Sequence, residues 1–220
     1  TGGVYPWVSC ATRARLRQRW SRDLLAILNV RLRISGHLGH DGPIHGIIVS
    51  NHISWLDVFV ISSIYNPVFV CKDEVRRWPF LGWLCARNEA RFIDRRRRSD
   101  ARRVSFEIAE KLRNGMLVAA FPEGTTSEGA GVLPFRGALL QAAVDAGCHT
   151  LPLALRYLDA QGRRTRSPSY CGEVTMWQSL CAIAAQSALT AEVRALPPIA
   201  SDGRTRRAVA DAAHAGIRAQ

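Results

Sequence analysis

The chain has 220 residues, 47% of them hydrophobic, which excludes an intrinsically disordered protein and allows one α/β domain with a sizeable core. Lysine and arginine total 30 against 18 acidic residues, a formal charge of +12, so polyanionic partners are expected: phosphate headgroups, anionic lipid surfaces, acidic carrier proteins or nucleic acid. The six cysteines are scattered with no Cys-x-x-Cys pair, which argues against structural zinc, and no apolar run reaches the roughly 18–20 residues that span a bilayer.

The pattern from Ala11 to Asn29 is helical, with Leu16, Trp20, Leu24, Ile27 and Leu28 able to share one face and Arg13, Arg15, Arg17, Arg19 and Arg22 covering much of the rest. Such a basic amphipathic helix suits a membrane interface or a packed surface position. Val30 to Ser35 alternates arginine with apolar residues and predicts an edge strand. After a turn-rich stretch, the apolar run Gly46-Ile47-Ile48-Val49 predicts a strand, and Trp55 to Ile64 a helix.

Further strands are predicted at 67–71, 92–93, 116–121, 151–157 and 189–196. Ser99 is expected to cap a helix ending at Asn114 with Gly115 as its stop, and helices are also expected over 137–146, 176–187 and the tail after Pro198. Strands alternating with helices give an α/β single domain, a mostly parallel central sheet flanked by helices. Residues 1–35 form its N-terminal helix and edge strand, and 36–220 the main domain.

The richest local signal is Ser50-Asn51-His52-Ile53-Ser54-Trp55-Leu56-Asp57. A strand, a tight loop and a helix place the His52 imidazole at a sheet mouth with the Asp57 carboxylate one turn away. A carboxylate so placed fixes the tautomer of an imidazole that takes a proton from a hydroxyl. No serine or cysteine sits in a nucleophile-elbow pattern nearby, so that hydroxyl is expected to belong to a substrate.

Three more segments fall at predicted strand ends, where ligands collect in α/β sheets: Phe92-Ile93-Asp94-Arg95, Phe121-Pro122-Glu123-Gly124-Thr125-Thr126 and Leu151-Pro152-Leu153. Arg95 can grip a phosphate in bidentate fashion. Gly124 lets backbone approach a ligand, Thr125 and Thr126 add hydroxyls and N–H groups, and Glu123 can order these donors or bind a hydroxyl.

Taken together, these blocks resemble the 1-acylglycerol-3-phosphate acyltransferase family, with its lysophospholipid and lyso-ornithine-lipid relatives, over about residues 36–160. Lys72, Trp78-Pro79-Phe80-Leu81-Gly82 and Leu133-Pro134-Phe135-Arg136-Gly137 also fit. The resemblance implies transfer of a fatty acyl group from a thioester, on coenzyme A or acyl carrier protein, to a lysophospholipid hydroxyl, foremost 1-acylglycerol-3-phosphate giving phosphatidic acid. It implies His52 as general base and Asp57 as its partner. Arg95, Glu123, Gly124, Thr125 and Thr126, with Lys72 and Arg136, would bind substrate, and Pro152 would shape the wall near the acyl donor. No covalent acyl-enzyme, cofactor or metal is implied.

The chain departs from the family pattern at Glu89, where glycine is frequent, at Thr126, where arginine is common, and in a Phe135-Arg136-Gly137 segment one residue tighter than usual. The missing base at 126 keeps a lyso-ornithine acceptor open. Attachment to anionic lipid on the cytoplasmic face of the inner membrane is expected, through the first helix and the arginine-rich surface. Two rival classes are a thioester hydrolase using the same base on water, and a basic nucleic-acid-binding module. The second lacks aromatic-basic interleaving, a zinc knuckle or a recognition helix, so no nucleic-acid partner is expected.

Overall fold

The computed structural model describes residues 9–37, 45–72, 91–93 and 98–220. Helices α1 (Cys10–Ile27), α2 (Leu56–Ile64), α3 (Arg98–Arg113), α4 (Gln141–Asp145), α5 (Met176–Ala184) and α6 (Arg206–Arg218) alternate with strands of one sheet. The strands are β1 (Val30–Gly36), β2 (Gly46–Ser50), β3 (Val68–Lys72), β4 (Arg91–Ile93), β5 (Leu117–Ala120), β6 (His149–Leu158), β7 (Leu189–Ala195) and β8 (Ile199–Ala200).

The sheet runs β1-β7-β6-β2-β5-β3-β4, with β8 beside β6. Pairing is parallel except where β6 meets β7 and β8. This is the predicted α/β architecture, and β1 is the predicted edge strand. β2 lies in the middle, and every one of its residues is buried, as its unbroken apolar run requires.

Alternation along the strands divides the core in two. Ile48, Phe69, Ala119, Leu153, Leu155 and Tyr157 face a layer that includes Leu25, Leu56 and Phe59 from α1 and α2, with Ile183 from α5. Ile47, Val49, Val118 and Ala120 face the other layer, which includes Val104, Ile108, Ala142, Val209 and Ala213 from α3, α4 and α6.

Pro152 sits inside β6 without breaking it, in register with Val49. On its other side β6 exchanges partners there, pairing β8 at His149 and Thr150 and β7 from Leu153 onward. A strand can place a residue with no N–H donor where its ladder changes hands.

Several local expectations are corrected. α3 begins at Arg98, so Ser99 lies inside the helix rather than capping it, while Gly115 stops it as predicted, at φ +73°. The α4 helix covers only 141–145, because 137–143 closes through the i to i+3 bonds Leu140 N→Gly137 O, Ala142 N→Leu139 O and Ala143 N→Leu140 O. α5 stops at Ala184, three residues short of Ser187, and the tail after Pro198 forms β8 before α6.

The packed face of α1 only partly matches the apolar face read from the sequence: Leu24 and Leu28 pack on the core and Trp20 meets Phe59 edge-on, with centroids 5.4 Å apart. Ser21 and Leu25 are buried, whereas Leu16, Trp20 and Ile27 are 41%, 37% and 80% exposed. Polar bonds turn the helix: Gln18 donates to the backbone carbonyls of Ser63 and Ile64 and Arg22 to that of Ser63, satisfying the C-terminal end of α2, while Arg17 donates to the side-chain Oδ1 of Asn66.

Candidate active site

β2 ends at Ser50, and residues 51–55 turn the chain into α2. Asp57 stands in the first turn of that helix, fully buried, where the N-terminal dipole favours an anion. Its Oδ2 accepts from the backbone N–H groups of Ile53 (2.7 Å) and Ser54 (2.9 Å), doing for α2 what a capping side chain would do. The same oxygen lies 2.8 Å from Nδ1 of His52.

Oδ1 accepts from the hydroxyl of Tyr157 at 2.8 Å. Four donors thus meet one carboxylate, an arrangement that an ionised carboxylate, acceptor at both oxygens, satisfies. Burial and the neighbouring Asp57 charge push the Tyr157 hydroxyl well above its ordinary range, so it keeps its proton and remains a donor.

With Nδ1–H donated to Asp57, the neutral imidazole carries its lone pair on Nε2. Nε2 has no hydrogen-bond partner among the described residues, and the side chain is 19% exposed. The ring stacks on Phe121 with centroids 3.8 Å apart and planes 9° from parallel, which fixes its orientation.

Glu123 joins this loop to the next. Its Oε1 accepts from the His52 backbone N–H (2.9 Å) and its Oε2 from that of Leu133 (3.2 Å). The Ser127 N–H donates to the His52 carbonyl at 2.8 Å, and the Arg136 N–H to that of Pro122 at 2.9 Å. Burial pushes Glu123 up to about 7, opposed by the two backbone donors. Its carboxylate therefore holds the loops rather than standing free for a ligand.

Gly124 makes the turn at φ +76°. Thr125 is exposed, while the Thr126 hydroxyl donates to the Tyr170 carbonyl. The N–H groups of His52, Ile53, Ser54 and Gly124 are all engaged, the last with the Phe121 carbonyl. Those of Thr125 and Thr126 have no partner among the described residues.

The Arg136 guanidinium is exposed with no recorded partner among the described residues. Lys72 is the last residue of β3, and Pro152 is buried in β6. Arg95 and Glu89 lie outside the described residues, as does the 78–82 segment. No group of three or more His, Cys, Asp or Glu side chains among the described residues is placed to hold a metal ion.

The family model for Acyltransferase matches residues 33–156, a span that runs from β1 through the His52 loop and the 122–136 turn into β6. The chain belongs to that acyltransferase family. It is 41% identical over 149 residues to the 1-acyl-sn-glycerol-3-phosphate acyltransferase of Neisseria meningitidis serogroup B, covering 68% of this chain and 58% of that protein. It is 31% identical over 227 residues to the lyso-ornithine lipid O-acyltransferase of Pseudomonas aeruginosa, covering 98% of this chain and 86% of that protein.

The chain thus spans well under two thirds of the neisserial relative's length. Its fold matches the crystal structure of the 1-acyl-sn-glycerophosphate (LPA) acyltransferase PlsC from Thermotoga maritima, at TM-score 0.68 and 22% identity over 93% of this chain and 78% of that one.

Sequence reasoning singled out His52, Asp57 and the 122–126 turn, quoted Asn51 and Phe121 in their motifs without giving them a role, and passed over Tyr157. Tyr157 carried a signal: a tyrosine on the inward side of a buried strand, after Leu153 and Leu155, needs a partner for its hydroxyl. Asn51 carried only its place beside His52. Its side chain brackets Leu155, donating to the carbonyl and accepting from the N–H, both at 2.8 Å, and so ties the loop to β6.

Proposed function

We propose that the protein is an O-acyltransferase that moves a fatty acyl group from an acyl-CoA or acyl-carrier-protein thioester to the free hydroxyl of a lysophospholipid, foremost 1-acylglycerol-3-phosphate. The observation that carries this reading is the buried Asp57 carboxylate on Nδ1 of a His52 ring whose Nε2 has no partner among the described residues. Nε2 takes the proton of the acceptor hydroxyl as that oxygen attacks the thioester carbonyl. The carbon–sulfur bond then breaks, and the departing thiolate takes the proton back from the imidazolium.

Asp57 stays ionised throughout and stabilises the imidazolium. The N–H groups of Thr125 and Thr126 are the donors proposed for the oxyanion, since their neighbours are engaged elsewhere. Arg95, Lys72 and Arg136 are proposed to hold the acceptor's phosphate, and Pro152 to shape the donor side. The reaction so written needs neither metal nor cofactor.

A lyso-ornithine acceptor is the second reading. It is supported by the Pseudomonas relative aligned over 98% of this chain and by Thr126, whose neutral hydroxyl is committed to Tyr170.

Attachment to the cytoplasmic face of the membrane is proposed through α1. No described helix is long and apolar enough to cross a bilayer. Yet Leu16, Trp20 and Ile27 of α1 and Trp177 of α5 are exposed on helices that cover the same side of the sheet.

The test is acyl transfer by the purified protein, offering lysophosphatidic acid, lysophosphatidylethanolamine, lysophosphatidylglycerol and lyso-ornithine lipid with each thioester carrier. Acceptor-dependent thiol release and a diacyl product are expected. Thiol release that ignores the acceptor would identify a hydrolase instead.

A further inference from the structure

The side of the sheet away from α1, α2 and α5 is clad by α3, α4 and α6 along its middle strands, whereas no described helix covers its β1–β7 end. Arg31, Arg33 and Ser35 of β1 and Arg194 of β7 are exposed there. Strand register places Arg33, Glu192 and Arg156 in one row, and Ser35, Arg194 and Ala154 in the next. Glu192, the one carboxylate in these rows, is engaged by Arg156 and by Arg33 (3.4 Å), which hold it below its usual range.

Between this floor, the end of α6 and the 129–132 loop lies a pocket of about 410 Å³, lined among the described residues by Arg156, Arg164, Arg194 and Arg218 and by one acidic side chain, Glu192. Arg156 and Arg164 each donate to the Gln220 carbonyl. Arg194 and Arg218 have no hydrogen bond or ion pair among the described residues. Arg218 also offsets the negative end of the α6 dipole; Arg194, the next-to-last residue of β7, stands at no helix end and has no such role.

We propose that this pocket binds a phosphate-ester anion of a soluble ligand. Arginine presents planar, paired donors that match phosphate oxygens, and two such side chains without partners among the described residues, Arg194 and Arg218, line one concavity beside Arg156 and Arg164. The volume exceeds what a single phosphate fills, leaving room for the sugar or second phosphate of an ester.

The pocket also lies across the sheet from exposed Leu16, Trp20, Ile27 and Trp177. A membrane seated on those side chains leaves the arginines facing water, which favours a soluble source over a lipid headgroup. That placement rests on the proposed function; the anion site itself does not. Asn51 lines the pocket and precedes the base by one residue, so the pocket borders the start of the His52 loop. The phosphate of a coenzyme A or phosphopantetheine thioester carrier fits that position.

The test is calorimetric titration of the full chain with adenosine 3′,5′-bisphosphate. Arg194→Ala/Arg218→Ala is compared with the control Arg204→Ala/Arg207→Ala, which removes equal charge outside the pocket. The pocket variant is expected to bind at least about tenfold more weakly, with the control within about twofold of wild type and all melting temperatures alike. Its KM for the thioester donor is expected to rise by a similar factor, with kcat and acceptor KM unchanged.

Unchanged nucleotide binding in the pocket variant, or an equal loss in the control, overturns the site. Loss of binding to vesicles containing phosphatidic acid, with nucleotide binding intact, overturns the soluble source. Failure of the wild type to transfer acyl groups would sink the enzymatic reading while leaving the binding isotherm to judge the pocket.

Discussion

The phenol of Tyr157 on β6 donates to Oδ1 of Asp57 on α2 at 2.8 Å, so the residue that orients the proposed base is itself held from a strand 100 positions further along. Both groups are buried. Tyr157→Phe leaves the ring in place and deprives the carboxylate of one of four donors. The unmet acceptor should cost about 1–3 kcal/mol in denaturant stability. A freer Asp57 holds the imidazole less well, so kcat should fall roughly tenfold with both KM values unchanged. A variant equally destabilised but with full kcat would show that Tyr157 serves packing alone.

Removal of the base itself should be more severe. His52→Ala is expected to lower kcat by about 10²- to 10⁴-fold with little change in melting temperature, since the ring is partly exposed and its backbone contacts persist. Asp57→Asn should approach the same loss. An amide oxygen can still accept from Ile53 and Ser54, and the Tyr157 hydroxyl can turn to accept from the new NH₂, but no charge remains to stabilise the imidazolium. Near-normal acyl transfer by His52→Ala would remove this residue from the chemistry.

How far the sequence foretold this site depends on the range of each interaction. His52 and Asp57 lie five apart on a strand–loop–helix unit, so local periodicity alone brought them together. β2 and β5 were legible because central parallel strands read as unbroken apolar runs. Tyr157, and the bonds from Glu123 to the His52 and Leu133 backbone, were different. Their roles depend on which strands neighbour β2, and the order β6-β2-β5 cannot be computed from propensities within β6 or β5. The face of α1 was read only in part, for a related reason. Its packing stripe is fixed by Gln18 and Arg22 reaching the carbonyl of Ser63, a polar tertiary contact that hydrophobic periodicity does not register.

Glu123 gives a pH signature. Its folded carboxyl is raised to about 7 by burial, whereas an ordinary one titrates near 4.5. Between those values the folded protein binds more protons than the unfolded chain. The stabilising contribution of this group is therefore complete below pH 4.5 and is lost as pH rises through 7. Glu123→Gln removes that dependence, so the melting-temperature difference from wild type should drift across this window and level off above it. The variant should also lose some kcat at all pH values, because a glutamine NH₂ cannot accept from Leu133. A difference that stays flat with pH would mean that burial does not govern this carboxyl.

Membrane attachment through α1 can be separated from folding. Ile27 is 80% exposed and Leu16 41%, so charges there cost the fold little. Leu16→Glu/Ile27→Glu should weaken co-sedimentation with anionic vesicles at least tenfold, as each lost apolar insertion removes about 1.5–3 kcal/mol, with the melting temperature unaltered. Charge reversal at Leu25 instead should unfold the protein, since that side chain is 1% exposed in the core. Vesicle binding that survives the surface pair would place the lipid contact elsewhere.

The glycine that opens β2 offers the sharpest separation of strain from crowding. Gly46 has φ +129°, and a Cβ there would lie 2.3 Å from the His149 carbonyl oxygen, a backbone atom of the neighbouring strand. Gly147 also has positive φ, +61°, but a Cβ there would meet nothing within 4 Å. Gly147→Ala should therefore cost only conformational strain, about 1 kcal/mol, and leave kcat alone. Gly46→Ala adds a collision that only movement of β2 against β6 can relieve. That movement carries Asn51 and His52 with it, away from Leu155 and the Glu123 carboxylate. Stability should fall by about 3 kcal/mol or more and kcat should fall with it. Denaturant melts and kcat on the two variants decide the matter: equal, mild effects would show that β2 can shift without disturbing the base.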